Sequence, residues 1–86
     1  MKRKQRIQKL LNEHFNQFIV DIKDNSHLHK GHNSFDGNNE THILIVIRIS
    51  HIYKVNRLSL HRKINQLLKK EFENGLHSIQ IKIIQF

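Results

Sequence analysis

"THILIVIRIS", residues 41–50, decides how the rest of the chain must be arranged. A strand with one face in water alternates between apolar and polar residues. Here Ile43, Leu44, Ile45, Val46 and Ile47 follow one another without interruption, so both faces are apolar. Such a run suits the middle of a sheet, where neighbours cover both edges. Working outward, each flank supplies one such neighbour. Upstream, "FIVDIKD" (18–24) alternates, with Phe18, Val20 and Ile22 on one side and Ile19, Asp21 and Lys23 on the other. Downstream, "HSIQIKII" (77–84) puts Ile79, Ile81 and Ile83 on one face.

Two helices complete the order. Ile7, Leu10, Leu11, His14, Phe15 and Phe18 recur at helical spacing and predict a helix over about 3–15. The crowd of cations at its start opposes the positive end of a helix and predicts a frayed first turn. "RLSLHRKINQLLKKEF" (57–72) carries an apolar stripe of Leu60, Ile64, Leu67, Leu68 and Phe72. Asn56 is placed to cap this helix and Asn74-Gly75 to stop it. Residues 25–40, "NSHLHKGHNSFDGNNE", read as a surface loop with a turn at Asp36-Gly37.

The order α-β-β-α-β makes the first two strands antiparallel and, through the helical crossover, the second and third parallel. The expected fold is α+β, with two helices on one face of a three-stranded mixed sheet. A chain of 86 residues has room for one domain, 1–86, with Phe15, Val20, Ile45, Ile64, Leu67 and Ile81 in its core. Ile19, Leu44, Val46 and Ile84 fall on the opposite face of the sheet. Two readings fit them: a contact surface, or strand propensity in an Ile-rich chain.

Composition narrows the function classes. Lys and Arg number 15 against 7 Asp and Glu, a net charge of +8, which favours anionic partners. The abundance of Lys, Asn and Ile, with no Ala, Pro, Trp or Cys, is also what an AT-rich genome produces, so charge alone selects nothing. Zero cysteines exclude disulfides and any thiolate metal site made by this chain alone. No apolar run approaches the length of a membrane span, and no membrane partner is expected. No nucleophile–base pair, paired carboxylates or phosphate loop is present, and Ser26 is the sole nucleophile candidate, so no enzyme is expected.

"SHLHKGH" (26–32) places His27, His29 and His32 in one loop. Their spacing is compatible with a metal role, since imidazole suits iron, zinc and copper, and equally with a solvated loop. His61 sits at the edge of the second helix's stripe, where it is either a half-buried structural residue or a ligand. His42 and His77, at strand starts, read as structural. His14 and His51 receive no role. Arg62, Lys63, Lys69 and Lys70 form a basic helix surface, either merely solvated or a phosphate contact. Gly31, Gly37 and Gly75 do not make the GxxG loop that KH-type RNA binding uses.

Four separated stretches resemble one family. "DNSHLHKGH" after the first strand, "ETH" opening the second, "RLSLHRKIN" opening the long helix and "LHSIQI" leading into the last strand look like BolA proteins. The family-type residues are Ser26, Glu40-Thr41-His42, Arg57, His61-Arg62, Asn65 and His77. The resemblance implies a class II KH-like fold. It also implies pairing with a monothiol glutaredoxin, the two proteins sharing a [2Fe-2S] cluster, with glutathione supplied alongside the glutaredoxin. It implies His61 and His29 as ligands, with His27 or His32 as alternates to His29. The function so implied is non-enzymatic: cluster assembly and delivery, and iron homeostasis. The alternative is a transcriptional regulator that binds DNA through Arg62, Lys63, Lys69 and Lys70. The protein is expected to be a monomer alone, with weak homodimerisation as the option. A cytoplasmic location is expected, with the mitochondrial matrix or another organelle as the alternative.

Overall fold

A computed structural model describes residues 1–26 and 40–86. The elements are α1 (Arg3–His14), β1 (Ile19–Asp24), β2 (His42–Ile49), α2 (Arg57–Leu67), α3 (Lys69–Glu73) and β3 (Ser78–Gln85). The sheet order is β1-β2-β3. β1 pairs antiparallel with β2, Ile22 opposite Ile45, and β3 pairs parallel with β2, Ile45 opposite Ile81. The doubly apolar stretch is therefore the central strand, as its composition requires.

The three helices share one face of the sheet. Ile7, Leu11 and Phe15 of α1 and its C-cap join Leu60 and Ile64 of α2 over Val20, Ile22, Ile43, Ile45, Ile47 and Ile49. Of the six expected core residues, Phe15, Val20, Ile45 and Ile64 are buried. Leu67 and Ile81 are half-buried and pack against the same cluster.

Both helix boundary signals act as expected. Asn56 Oδ1 accepts the Ser59 N–H at 3.0 Å, capping α2. Gly75 ends the helical stretch at φ +110°, a conformation that a side chain would strain. Arg3 Nη2 lies 3.4 Å from where a Cβ would stand there.

Two local expectations are corrected. The second helix is not continuous: it breaks at Leu68, a fully buried residue at φ −93°, ψ 10°, and α3 resumes at Lys69. The break aims Glu71 at α1. The first turn of α1 is not left to fray either, because its arginines reach that carboxylate. Arg3 Nε donates to Glu71 Oε1 at 3.0 Å, and Arg6 donates through Nε to Oε2 at 2.7 Å and through Nη2 to Oε1 at 2.9 Å. Cations that oppose the helix's own field are thus neutralised from another element.

The Arg6 hydrogen bonds, and then that of Arg3, hold the Glu71 carboxyl below the ordinary glutamate value against an opposing effect of burial. A depressed carboxylate stabilises the fold above its unfolded pKa, and that contribution disappears as pH falls through the lower, folded value. Urea unfolding of the protein and of Glu71→Gln should therefore differ most near neutral pH. The two curves should converge on acidification below about 4.5, the unperturbed value. A gap that stays constant down to the lowest pH would mean that the charge contributes nothing.

Candidate functional site: the loop root and its histidines

His27, His29, His32 and the Asp36-Gly37 turn, with most of the loop expected at 25–40, lie outside the described residues. The two ends of that loop are described, and they form a tightly bonded junction. The Asn25 N–H donates to His42 O at 2.8 Å. Ser26 is fully buried, and its Oγ accepts the N–H of Thr41 at 2.9 Å and of His42 at 3.2 Å. Its own N–H donates to Asp24 Oδ1 at 2.9 Å. A hydroxyl so buried and engaged is a structural clamp, and the sole nucleophile candidate is thereby explained. Ser26→Ala should cost about 1–3 kcal/mol, the range for depriving buried donors of their acceptor. A denaturation midpoint equal to that of the unaltered protein would show that the clamp carries no stability.

Thr41 extends the junction to the third strand. Its carbonyl accepts the N–H of His77 at 2.8 Å and of Ser78 at 3.1 Å. This brings the imidazoles of His42 and His77 edge to face, ring centroids 5.5 Å apart. His42 is half-buried, with Nδ1 2.9 Å from Thr41 Oγ1, and His77 is exposed. Arg3 braces the same end: Nη1 donates to Glu40 O and Nη2 to Asn74 O, each at 2.6 Å.

His61 stands elsewhere. It is half-buried, one turn into α2, and its carbonyl accepts from Asn65 Nδ2 at 2.8 Å. β2 leaves the loop at His42 and α2 begins beyond its other end, so α2 starts far from the loop root and runs back towards it. Ten residues separate His61 from Glu71 at the root, roughly 15 Å along a helical path. His14 is exposed, with Nδ1 3.0 Å from Leu10 O, and His51 is exposed in a turn.

The four basic residues of the second helical stretch do not form one patch. Lys63 Nζ lies over the Phe15 ring at 5.4 Å, and Arg62 is exposed. Lys69 and Lys70 instead border a groove between α1 and α2–α3, together with Arg6 and Lys9. Leu10 and Leu67 contribute its apolar surface, and Glu13 and Glu71 line it as well. Arg6 and Lys9 escape a sequence search because they belong to a separate helix.

Among the described residues, no three His, Asp or Glu side chains are grouped to hold a metal ion. The His42–His77 pair brings two imidazole rings into edge-to-face contact. A metal centre there would take its remaining ligands from residues 27–39 or from another molecule. The sequence assigned both histidines a structural role. The overlooked signal was the parallel register, which sets His42 opposite Ser78 and so next to His77.

A mixed three-stranded sheet, helices on one face and a histidine-bearing loop root define a class found in known proteins. The BolA-like protein family model matches residues 11–85, and the chain belongs to that family. An uncharacterized protein in the cobS 5′ region of a Sinorhizobium species is 38% identical over 77 residues, covering 88% of this chain and 83% of that protein. The UV-induced protein uvi31 of Schizosaccharomyces pombe is 34% identical over 84 residues, covering 94% and 82%. Among solved structures, the BolA domain of SufE1 from Arabidopsis thaliana superposes with a TM-score of 0.79 at 27% identity, covering 99% of this chain and 93% of that one. The fold is that of a BolA domain, and no described helix is long and apolar enough to cross a membrane.

Proposed function

We propose that this BolA-type protein is a non-enzymatic iron–sulfur adaptor that pairs with a monothiol glutaredoxin and shares a [2Fe-2S] cluster with it. The observation that carries this reading is the His42–His77 pair at the root of a histidine-rich loop, in a chain without cysteine. Such a chain can offer imidazole but no thiolate. A partner bearing cysteine and glutathione supplies what is missing, and iron in such clusters accepts histidine in place of cysteine with a raised potential. The cluster would be cargo passed between proteins, in assembly, delivery or iron homeostasis.

Within this reading the loop ligand is His29, with His27 and His32 as alternates. Its companion is His61 by family resemblance or His77 by proximity. Three residues of chain join His29 to Ser26, at most about 11 Å at 3.8 Å per residue. Ser26 Oγ is bonded to the backbone of His42, whose ring touches His77. Proximity therefore favours His77.

The test is anaerobic mixing with a monothiol glutaredoxin, glutathione, iron and sulfide, followed by visible circular dichroism and size-exclusion chromatography. A heterocomplex whose spectrum differs from that of the glutaredoxin alone is expected. An unchanged glutaredoxin spectrum with no co-eluting chain would refute the reading.

A second reading, nucleic-acid binding, draws support from Lys9, Lys69 and Lys70 along one groove, where Arg6 is already paired with Glu71. It differs in requiring cations rather than histidines and in weakening steeply with salt.

A further inference from the structure

Among the described residues, most exposed apolar side chains lie at the end of the molecule opposite the loop root. Ile52 is 80% exposed and Leu58 61%, with Ile19 at 53%, Phe86 at 56% and Tyr53 at 37%. Strand register and the turn after β2 place them at one end of the sheet, with Ile19 on the face away from the helices. The His51 N–H donates to Phe86 O at 2.8 Å, Gln85 Nε2 reaches Tyr53 O at 3.5 Å, and Tyr53 packs edge-on to Phe18. Leu58 lies on the first turn of α2, just beyond the turn that carries Ile52 and Tyr53.

The charges beside Ile52, Tyr53 and Leu58 along the chain have one sign. Arg48, Lys54 and Arg57 are exposed among them, and no Asp or Glu occurs anywhere from residue 41 to residue 70. Asp21 of β1 lies diagonal to Arg48 on the open face of the sheet, leaving Lys54 and Arg57 as the cations beside Ile52 and Leu58, and Glu13 of α1 faces the interhelical groove. A second copy docked here through the same surface would bring cation against cation. The occupant must therefore be anionic while still accepting aliphatic side chains. The two most exposed residues project rather than line a hollow, so a rigid partner would need a matching cup. A deformable surface needs none.

We infer that this end, with Ile52, Tyr53 and Leu58 at its tip and Arg48, Lys54 and Arg57 as its collar, docks reversibly on an anionic lipid surface. The protein was expected to have no membrane partner because it has no spanning segment. Peripheral contact needs only a shallow apolar tip and cations to meet acidic headgroups. The inference uses none of the histidines and is independent of the proposed cluster role.

Tyr53 is the only tyrosine and there is no tryptophan, so the intrinsic emission of the chain reports on this surface directly. The experiment is flotation with phosphatidylcholine vesicles, with and without phosphatidylserine, together with quenching of Tyr53 by lipids labelled just below the headgroup. Binding only to the phosphatidylserine vesicles is expected, with Tyr53 quenched and with weakening as salt rises. Lys54→Gln should weaken binding about fivefold, as one cation near such a surface contributes. The doubly substituted Ile52→Asp, Leu58→Asp protein, altered only at exposed positions, should bind about tenfold or more weakly with an unchanged far-ultraviolet spectrum. Equal binding to neutral vesicles, no binding at any phosphatidylserine content, or binding indifferent to the double substitution would overturn the inference. So would polyglutamate or an oligonucleotide that binds as tightly as the vesicles with the double substitution in place.

Discussion

Replacing His77 by alanine is expected to leave the fold intact and to remove most of the visible circular-dichroism signal of the cluster that we propose is shared with glutaredoxin. The side chain is exposed and lies against the His42 ring. The Thr41 carbonyl holds its backbone, which keeps the imidazole in a fixed place beside the loop root. His61→Ala is expected to change the signal less, because of its distance from that root along the helix. Of the loop variants, His29→Ala should alter the spectrum more than His27→Ala or His32→Ala. The opposite ranking of His77 and His61 would return the ligand role to His61. A full signal after every one of these substitutions would leave the histidines without a ligand role.

Ile45→Ala should bring the protein to the edge of unfolding at room temperature. Ile45 is fully buried in the central strand, between Ile22 and Ile81. Truncating a buried isoleucine to alanine costs about 2–5 kcal/mol through lost transfer energy and the cavity left behind. A domain of this size has a thin core and a total stability near the low end of about 5–15 kcal/mol. Leu44→Ala, one residue away on the open, half-buried face, should cost distinctly less. Urea titration followed by far-ultraviolet circular dichroism measures both. Similar midpoints for the two variants would contradict the assignment of faces.

That assignment was legible because it rests on periodicity alone. Five consecutive apolar residues in β2, alternation in β1 and β3, the Asn56 cap and the Gly75 stop each act over a few residues. The break at Leu68 has no such signature, since no proline or glycine marks it. It accompanies a contact between Glu71 and two arginines more than sixty positions away in the chain. The same contact explains why cations gathered at the start of α1 form a stable first turn, although their effect on the helix alone is unfavourable. The candidate site divides in the same way. The loop histidines announce themselves by clustering, whereas His42 and His77 are 35 residues apart and meet only through strand register. The interhelical groove was half visible for the same reason, with Lys69 and Lys70 on one side and Arg6 and Lys9 on another helix.

The bracing by Arg3 has a consequence for how the molecule opens. One guanidinium grips the carbonyl that enters β2, the carbonyl that precedes the Gly75 turn, and the carboxylate between them in space. Neither connection can swing away without stripping hydrogen bonds from the other. Segments that share a fastening exchange their amide protons in a common event. The amides of Thr41, Leu76 and His77 should accordingly share one opening free energy in native-state hydrogen exchange, and Arg3→Ala should split it into separate, faster openings.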